Sequence, residues 1–421
     1  MTQIIDGVCV LAGPGEALRS GDVHYKFRQD SDLLYLTGFE EPDAVAVFAP
    51  NHPDARFVLF VRPRDPSAET WTGRRIGIEG VMARFGADAA YPVADLDRML
   101  PRFIEGNETL YYALGRYPAF DRRVTDVLND LRARIRAGVT APSRVEDPRL
   151  ILHEMRLFKG PEEIATLRRA AEITREAHLA GLGAIRPGAH EYEVEAAIEY
   201  IFRRRGADGP GYPTIVGSGP NATILHYIRN DREIRAGELV LVDAGAEVDH
   251  YNADVTRTYP VGGPYPMPAR DVVAAVLAAQ LAAIDTVKPG LRFDDVHEAA
   301  RRSLVGSLVD LGILSGDPEE LIAKESYRPF YMHRTSHWLG MDVHDVGRYR
   351  VGEESRKLEP GMVLTVEPGI YVAPDADAPE AFRGIGVRIE DNVLVTDGGH
   401  EVLTVDIPKE IEEIESLVPH V

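Results

Sequence analysis

The sequence predicts a two-domain α/β protein whose larger, C-terminal domain is an internal duplication. Three observations carry this. The chain has 421 residues, which at roughly 150 residues per domain leaves room for more than one core. Short β-like runs alternate with helical stretches through the first 150 residues. Beyond residue 160, two pairs of segments repeat one another.

In the first domain, expected to span 1–160, residues 44–48, 57–61 and 109–113 read as strands, and 79–85 and 124–135 as helices. Gly160-Pro161-Glu162-Glu163 then opens a helix. Proline suits the first helical position, and two acids suit the positive end of the helix dipole. Ile164, Leu167, Ala171, Thr174, His178 and Leu182 recur at helical spacing until Arg186-Pro187-Gly188 stops the run. The second domain is therefore expected over 161–421. Its most apolar stretch, 272–284, is interrupted by Gln280 and falls short of a membrane span, so it reads as a buried helix.

The duplication shows in two places. Ile185-Arg186-Pro187-Gly188 is followed six residues after its glycine by Val194, as Val287-Lys288-Pro289-Gly290 is by Val296. The stretch 237–245, ending Val242-Asp243-Ala244-Gly245, matches 361–369, ending Val366-Glu367-Pro368-Gly369, with acid on acid. A doubly covered strand has reason to be a continuous apolar run but no structural reason to end in a carboxylate. Alone, either acid reads as a turn residue; as a repeated pair they point to a shared site.

Each has a second acid downstream, Asp254 and Glu390. Four carboxylates facing one interior repel and resist ionisation unless compensated. Two divalent cations supply that compensation, since carboxylates bridge ions ~3.5–4 Å apart in two-metal hydrolases. The stretch 331–347 adds three clustered histidines, His333, His337 and His344. One imidazole among four carboxylates is a mostly hard-oxygen set, which places Mn²⁺ first, with Co²⁺, Zn²⁺ and Fe²⁺ fitting the same ligands.

Charge agrees. Forty-seven basic against 67 acidic residues give a net charge of −20, which disfavours nucleic acid and anionic membranes as partners and favours cations. The single cysteine, Cys9, forms no internal disulfide. The opening Met-Thr-Gln-Ile-Ile-Asp lacks a basic stretch before an apolar run, so no secretory signal is expected and the cytoplasm is the default. The Asn-x-Thr triplets at Asn107 and Asn221 then carry no glycosylation. Gly217-Ser218-Gly219-Pro220-Asn221 lacks a phosphate-loop ending and reads as a turn.

Further stretches make the likeness specific: 25–32 (YKFRQDSD), 36–39 (LTGF), 70–75 (TWTGRR), 153–156 (HEMR), 336–340 (SHWLG) and 343–347 (VHDVG). Over nearly its whole length the chain resembles the Xaa-Pro aminopeptidases of the pita-bread metallopeptidases. The resemblance implies a smaller N-terminal α/β domain followed by a pita-bread domain with a pseudo-twofold repeat. It makes Asp243, Asp254, His337, Glu367 and Glu390 ligands of two divalent ions, with Asp254 and Glu390 bridging. It places His226, His333 and His344 against the substrate and transition state. Arg334-Thr335 departs from the small residues expected between His333 and Ser336-His337. The resemblance also sets the segment bearing Trp71 against a neighbouring subunit, implying a homo-oligomer, a dimer or tetramer. Arg388, two residues before Glu390 and on the same strand face, and Tyr371 complete the candidate substrate contacts.

The implied activity is removal of the first residue from peptides with proline second. Two ions would make hydroxide available from a bridging water at neutral pH and polarise the scissile carbonyl. Glu367 would carry the proton to the leaving nitrogen, with His344 and His333 donating to the oxyanion or the peptide. An Xaa-Pro bond has no amide hydrogen, so selection must come from a pocket shaped for the pyrrolidine ring. The rival readings are an Xaa-Pro dipeptidase confined to dipeptides and a metal-free module that only binds peptide or protein.

Overall fold

The structure is a computed structural model, and it describes residue 4 and residues 6–418. The chain divides into two compact units, Met1–Glu154 and Met155–Val421.

The first unit is built on a six-stranded sheet in the order Ala89–Pro92, Phe57–Val61, Val45–Phe48, Gly7–Ala12, Thr109–Tyr111, Arg144–Glu146. The three central strands pair antiparallel and the outer ones add in parallel. Both faces are covered, which is why the central strands read as continuous apolar runs. Val8, Val10, Val47 and Phe60 pack on one side with helices Leu96–Ile104 and Pro118–Ala133. Cys9, Leu11, Ala46 and Leu59 pack on the other with helices Ser31–Thr37 and Gly77–Arg84. Helix Pro118–Ala133 begins six residues before the expected 124. Its first turns hold Asp121, Arg122 and Arg123, polar residues without the apolar period by which a helix is recognised.

In the second unit, helix Pro161–Ala184 opens with Pro161 at its first position, and Glu163 Oε2 accepts the Gly160 N–H at 2.7 Å. Residues 155–159 already pack with this unit. Leu157 lies in one of its cores, and Asp345 accepts from Arg156 at 2.6 Å and Lys159 at 2.9 Å. Helices Pro161–Ala184 and Glu191–Arg204 form one packed pair, Ala269–Ile284 and Phe293–Asp310 the other. The repeated glycines turn the chain in both copies: Gly188 has φ +82° and Gly290 φ +87°, a region where only glycine is free of strain. The residues six positions on, Val194 and Val296, are both fully buried.

Three antiparallel three-stranded sheets accompany the helix pairs, one of them formed by Tyr251–Asn252, Ala246–Val248 and Gly209–Pro210. Leu239–Asp243 lies between Ile215–Ser218 and Thr256–Pro260, and Asp391–Thr396 lies between Val363–Val366 and Gly399–Val402. Helix Ala269–Ile284 is largely buried, and its Gln280 donates to Asp391 Oδ2 at 2.7 Å, which accounts for the polar break in that apolar stretch. Among the described residues no helix is long and apolar enough to cross a membrane.

Candidate active site

The four predicted acids sit at strand ends or breaks. Asp243 is the last residue of its strand, and Glu367 directly follows Val363–Val366. Asp254 lies in the gap before Thr256–Pro260, and Glu390 in the gap between Ile385–Arg388 and Asp391–Thr396. Gly245 permits the first approach: a Cβ there would fall 1.8 Å from the Ala253 carbonyl oxygen. Only a bare backbone lets the segments bearing Asp243 and Asp254 touch.

The halves are stitched together at the acids. Asn392 Oδ1 accepts the Asp254 N–H at 3.0 Å, and its amide group donates back to the Asp254 carbonyl. The Glu390 N–H donates to Thr256 O at 3.0 Å, and Thr256 Oγ1 donates to Glu390 Oε2 at 2.7 Å. Buried Arg257 donates to Glu390 O at 2.6 Å and to Asp391 Oδ1 at 2.8 Å.

Asp243, Asp254, His337, Glu367 and Glu390 line one cavity of about 950 Å³ together with His226, His333, His344 and Arg388. Single ligand atoms of Asp254, His337 and Glu390 lie within 4.8 Å of one another. His337 Nε2 is 3.3 Å from Asp254 Oδ2 and 3.4 Å from Glu367 Oε1. Its Nδ1 is 2.9 Å from the Trp338 carbonyl oxygen; a carbonyl only accepts, so Nδ1 carries a proton. In the neutral ring, Nε2 therefore turns a lone pair on two carboxylate oxygens. Such a contact needs a cation between the groups or a proton on the nitrogen, and a mostly oxygen donor set of this kind fits hard divalent cations.

The electrostatics point the same way. Burial pushes the Asp243 carboxyl up, with the Arg388 guanidinium opposing. Burial and the neighbouring Asp254 push Glu390 well above the carboxylate range. Burial takes Glu367 up to about 7 against the pull of His337. Burial opposes charge on His337, yet its hydrogen bond with Asp254 and the charge of Glu367 raise it to about 9. In each case a buried negative cluster is taking up positive charge.

The remaining candidates divide. His226 and His344 are exposed on the cavity wall, and His344 stacks edge-on against His337 with ring centroids 4.4 Å apart. Both nitrogens of His333 are occupied, Nδ1 by the Arg334 carbonyl at 2.8 Å and Nε2 by Tyr371 OH at 2.9 Å. Burial and the Arg388 charge hold its pKa down to about 3. In this arrangement His333 has no free N–H for an oxyanion. Tyr371, expected to touch substrate, is 1% exposed and is absent from the cavity lining; its hydroxyl accepts from Arg388 Nη1 at 3.0 Å and meets His333. Arg388 is also buried, and its Nη2 donates to Asp243 Oδ2 at 2.6 Å. Trp71 belongs to the first unit, on helix Pro66–Thr72, and is 87% exposed.

Four contributors escaped the sequence reading. Tyr212 donates its hydroxyl to Asp243 Oδ1 at 2.6 Å. Thr256 and Asn392 each lie two residues after a predicted acid, hence on the same side of an extended chain, a signal that was available. Buried Glu191 accepts from Ser218, Asn221, Tyr227 and the Arg232 N–H. It thereby ties down the stretch that carries His226. The glycine-rich stretch expected as a turn is the end of strand Ile215–Ser218 running into a 3₁₀ turn, Gly219–Thr223.

A set of carboxylates and one imidazole of this kind is suited to a metal-dependent hydrolase. The chain belongs to metallopeptidase family M24, whose sequence profile matches residues 165–397, while that of the aminopeptidase P N-terminal domain matches residues 1–111. The Xaa-Pro aminopeptidase of Escherichia coli strain K12 is 47% identical over 97% of this chain and 92% of that protein. The solved structure of the Pseudomonas aeruginosa aminopeptidase PepP matches with a TM-score of 0.96 at 48% identity, covering 98% of this chain and 94% of that one. A structure of E. coli aminopeptidase P in complex with substrate matches at 0.95 and 46% identity, covering 98% and 94%. The resemblance read from the sequence is thus borne out in both family and fold.

Proposed function

We propose that this protein is an aminopeptidase that releases the first residue of peptides whose second residue is proline. The observation that carries the reading is the convergence of Asp243, Asp254, His337, Glu367 and Glu390 on one cavity, in a chain 47% identical to an enzyme of that name. These five residues would hold two divalent cations. Manganese is the first choice, supported by the predominance of carboxylate oxygen over nitrogen. Bound there, the ions supply Lewis-acid polarisation of the scissile carbonyl and a water acidic enough to attack at neutral pH.

The chain's own residues do the rest. The chain's net charge of −20 favours approach of the substrate's α-ammonium group. Leu225, Ile228, Val343 and Phe293 offer apolar wall to the pyrrolidine ring. Glu367 Oε2, 3.8 Å from His333, holds the proton that passes to the departing prolyl nitrogen. His344 and His226, with rings on the open wall, donate to the developing oxyanion. Arg388 and Tyr371 fix Asp243 and His333 from behind and leave contact with substrate to the histidines.

Three further expectations belong to this reading. The catalytic domain is taken as 161–421 and the N-terminal domain as 1–160, a boundary supported by the helix start at Pro161, with residues 155–159 as the junction that already packs with the catalytic domain. A homo-oligomer, dimer or tetramer, with Trp71 at an interface, is supported by that indole's exposure. The cytoplasm is supported by the single buried thiol of Cys9.

The test is a peptide series, Xaa-Pro, Xaa-Pro-Yaa and longer, assayed with metal-stripped protein and after addition of Mn²⁺, Co²⁺ or Zn²⁺. Cleavage of the first bond in tripeptides and longer peptides, lost on stripping and restored by Mn²⁺, is the expected result. Cleavage of Xaa-Pro alone would convert the reading to a dipeptidase, and activity indifferent to stripping would overturn it.

A further inference from the structure

We infer that Arg334 and Arg350 form a subsite for a carboxylate downstream of the substrate's proline. The inference rests on the aminopeptidase reading above. Both side chains line the catalytic cavity, as does Asp294. His333 and Thr335 turn into the protein, His333 bonding Tyr371 and Thr335 lying fully buried against His297 and Tyr331. Arg334 between them faces outward, with its side chain 58% exposed. Arg334 pairs with Asp294 Oδ1, and Arg350 Nη1 approaches Asp294 Oδ2 at 3.8 Å. Arg350 also donates to the Glu353 carbonyl.

Two guanidiniums thus share one carboxylate, leaving one positive charge in excess on this wall. Asp243, Asp254, Glu367 and Glu390 line the same cavity. A guanidinium already paired through one edge keeps further N–H groups for a second, bidentate carboxylate. A short peptide is itself a dipole, ammonium first and carboxylate last. The surplus positive charge of the Arg334–Asp294–Arg350 wall favours a carboxylate at the peptide's far end. The carboxylate that closes an Xaa-Pro-Yaa tripeptide lies about 7 Å beyond the scissile bond, two extended residues away. An acidic side chain at Yaa offers the same chemistry.

The experiment compares Xaa-Pro-Ala with its C-terminal amide, and Xaa-Pro-Asp-amide with Xaa-Pro-Asn-amide, on the metal-loaded wild type and the Arg334→Gln, Arg334→Glu and Asp294→Asn variants. Calorimetric titration of the product Pro-Ala and its amide gives a binding readout independent of turnover. Wild type should favour the free acid by about three- to tenfold, mainly through KM, with the ratio shrinking in high salt. Arg334→Gln should bring the ratio towards one, Arg334→Glu should invert it, and Asp294→Asn should widen it. A preference confined to the first peptide pair assigns the subsite to the chain terminus, and one shared by both assigns it to either carboxylate. An acid-to-amide ratio equal in wild type and both Arg334 variants would overturn the subsite while leaving the aminopeptidase intact. Failure to cleave any of the four peptides would overturn the activity itself.

Discussion

Glu191→Gln isolates how the His226 loop is held. Glu191 opens helix Glu191–Arg204 and is fully buried. Its Oε1 accepts from Ser218 N and Oγ at 2.7 Å each and from Asn221 Nδ2 at 3.1 Å; its Oε2 accepts from Tyr227 OH at 2.8 Å and Arg232 N at 2.9 Å. An amide keeps the volume but offers one oxygen and one NH₂. With the oxygen kept towards Ser218, the NH₂ faces Tyr227, whose hydroxyl can turn, and the Arg232 N–H, which cannot. One buried donor without an acceptor costs about 1–3 kcal/mol, and weaker acceptance by the neutral oxygen costs about another 1 kcal/mol. A total near 3 kcal/mol, concentrated on local opening of 218–232, corresponds to about a hundredfold faster amide exchange. Hydrogen–deuterium exchange by mass spectrometry should show this in peptides spanning 214–234 and not in those from Val363–Val366, and kcat/KM should fall with it. Exchange in 214–234 that superposes on wild type would refute the reasoning, whatever the activity does.

Other outcomes follow from the same contacts. Glu367→Ala should lower turnover by about a thousandfold or more and reduce bound metal while circular dichroism stays native; near-normal turnover would remove Glu367 from the mechanism. His344→Ala should lower kcat by about ten- to a hundredfold with metal content unchanged by elemental analysis; an emptied site would make His344 a ligand. Arg257→Met strips the buried Asp391 of its 2.8 Å guanidinium partner, and denaturant titration should register a loss of about 3 kcal/mol. A loss under 1 kcal/mol would show that Lys409, 2.8 Å from Asp391, suffices alone. His178 is buried, with ring nitrogens against Tyr259 OH at 3.1 Å and Ala244 O at 3.0 Å, and burial lowers its pKa to about 4. Between there and the ordinary 6.5 the unfolded chain binds a proton that the folded chain refuses. Stability is therefore complete above about pH 6.5 and falls as pH drops towards 4, by up to about 3 kcal/mol. In ¹⁵N-histidine spectra, the resonance lost in a His178→Gln variant should stay neutral to pH 5; a midpoint near 6.5 would contradict this.

The acids were legible because each breaks a local rule. A carboxylate closing an apolar strand is a conflict that packing alone does not explain, and the duplication exposed it twice, at Asp243 and Glu367. The start at Pro161 and the turns at Gly188 and Gly290 were legible because proline and glycine have few conformational reasons to be where they are. The positions of Tyr212 and Glu191 were not. Tyr212 reaches Asp243 across 31 residues, and Glu191 reaches Arg232 across 41, and no periodicity links such partners. The expected roles of Tyr371 and His333 show a subtler limit. Sequence placed them near the centre, but which edge of a ring meets solvent depends on the strand facing it. There the pairing of Gly369–Val372 with Ile385–Arg388 sets Arg388 behind Tyr371.

The duplication also explains why the two matched acids are not interchangeable. Copying a strand with its terminal carboxylate gives two equivalent positions, and equivalence alone provides no direction for a proton. The surroundings break the tie. Asp243 is gripped on one oxygen by Tyr212 OH and on the other by Arg388, each at 2.6 Å, so donors of the protein fix both oxygens in place and oppose the upward push of burial. Among the described residues, Glu367 receives the Thr365 hydroxyl, at 3.2 Å, with His337 and His333 nearby. On the proposed mechanism this unequal tethering suits the two acids to different roles: the tethered Asp243 to holding a cation, the looser Glu367 to carrying the proton. If the roles are set in this way, Tyr212→Phe and Arg388→Met should each shift the pH dependence of metal binding at the Asp243 side. Thr365→Val should instead alter the pH profile of kcat, which bound-metal titration would not register.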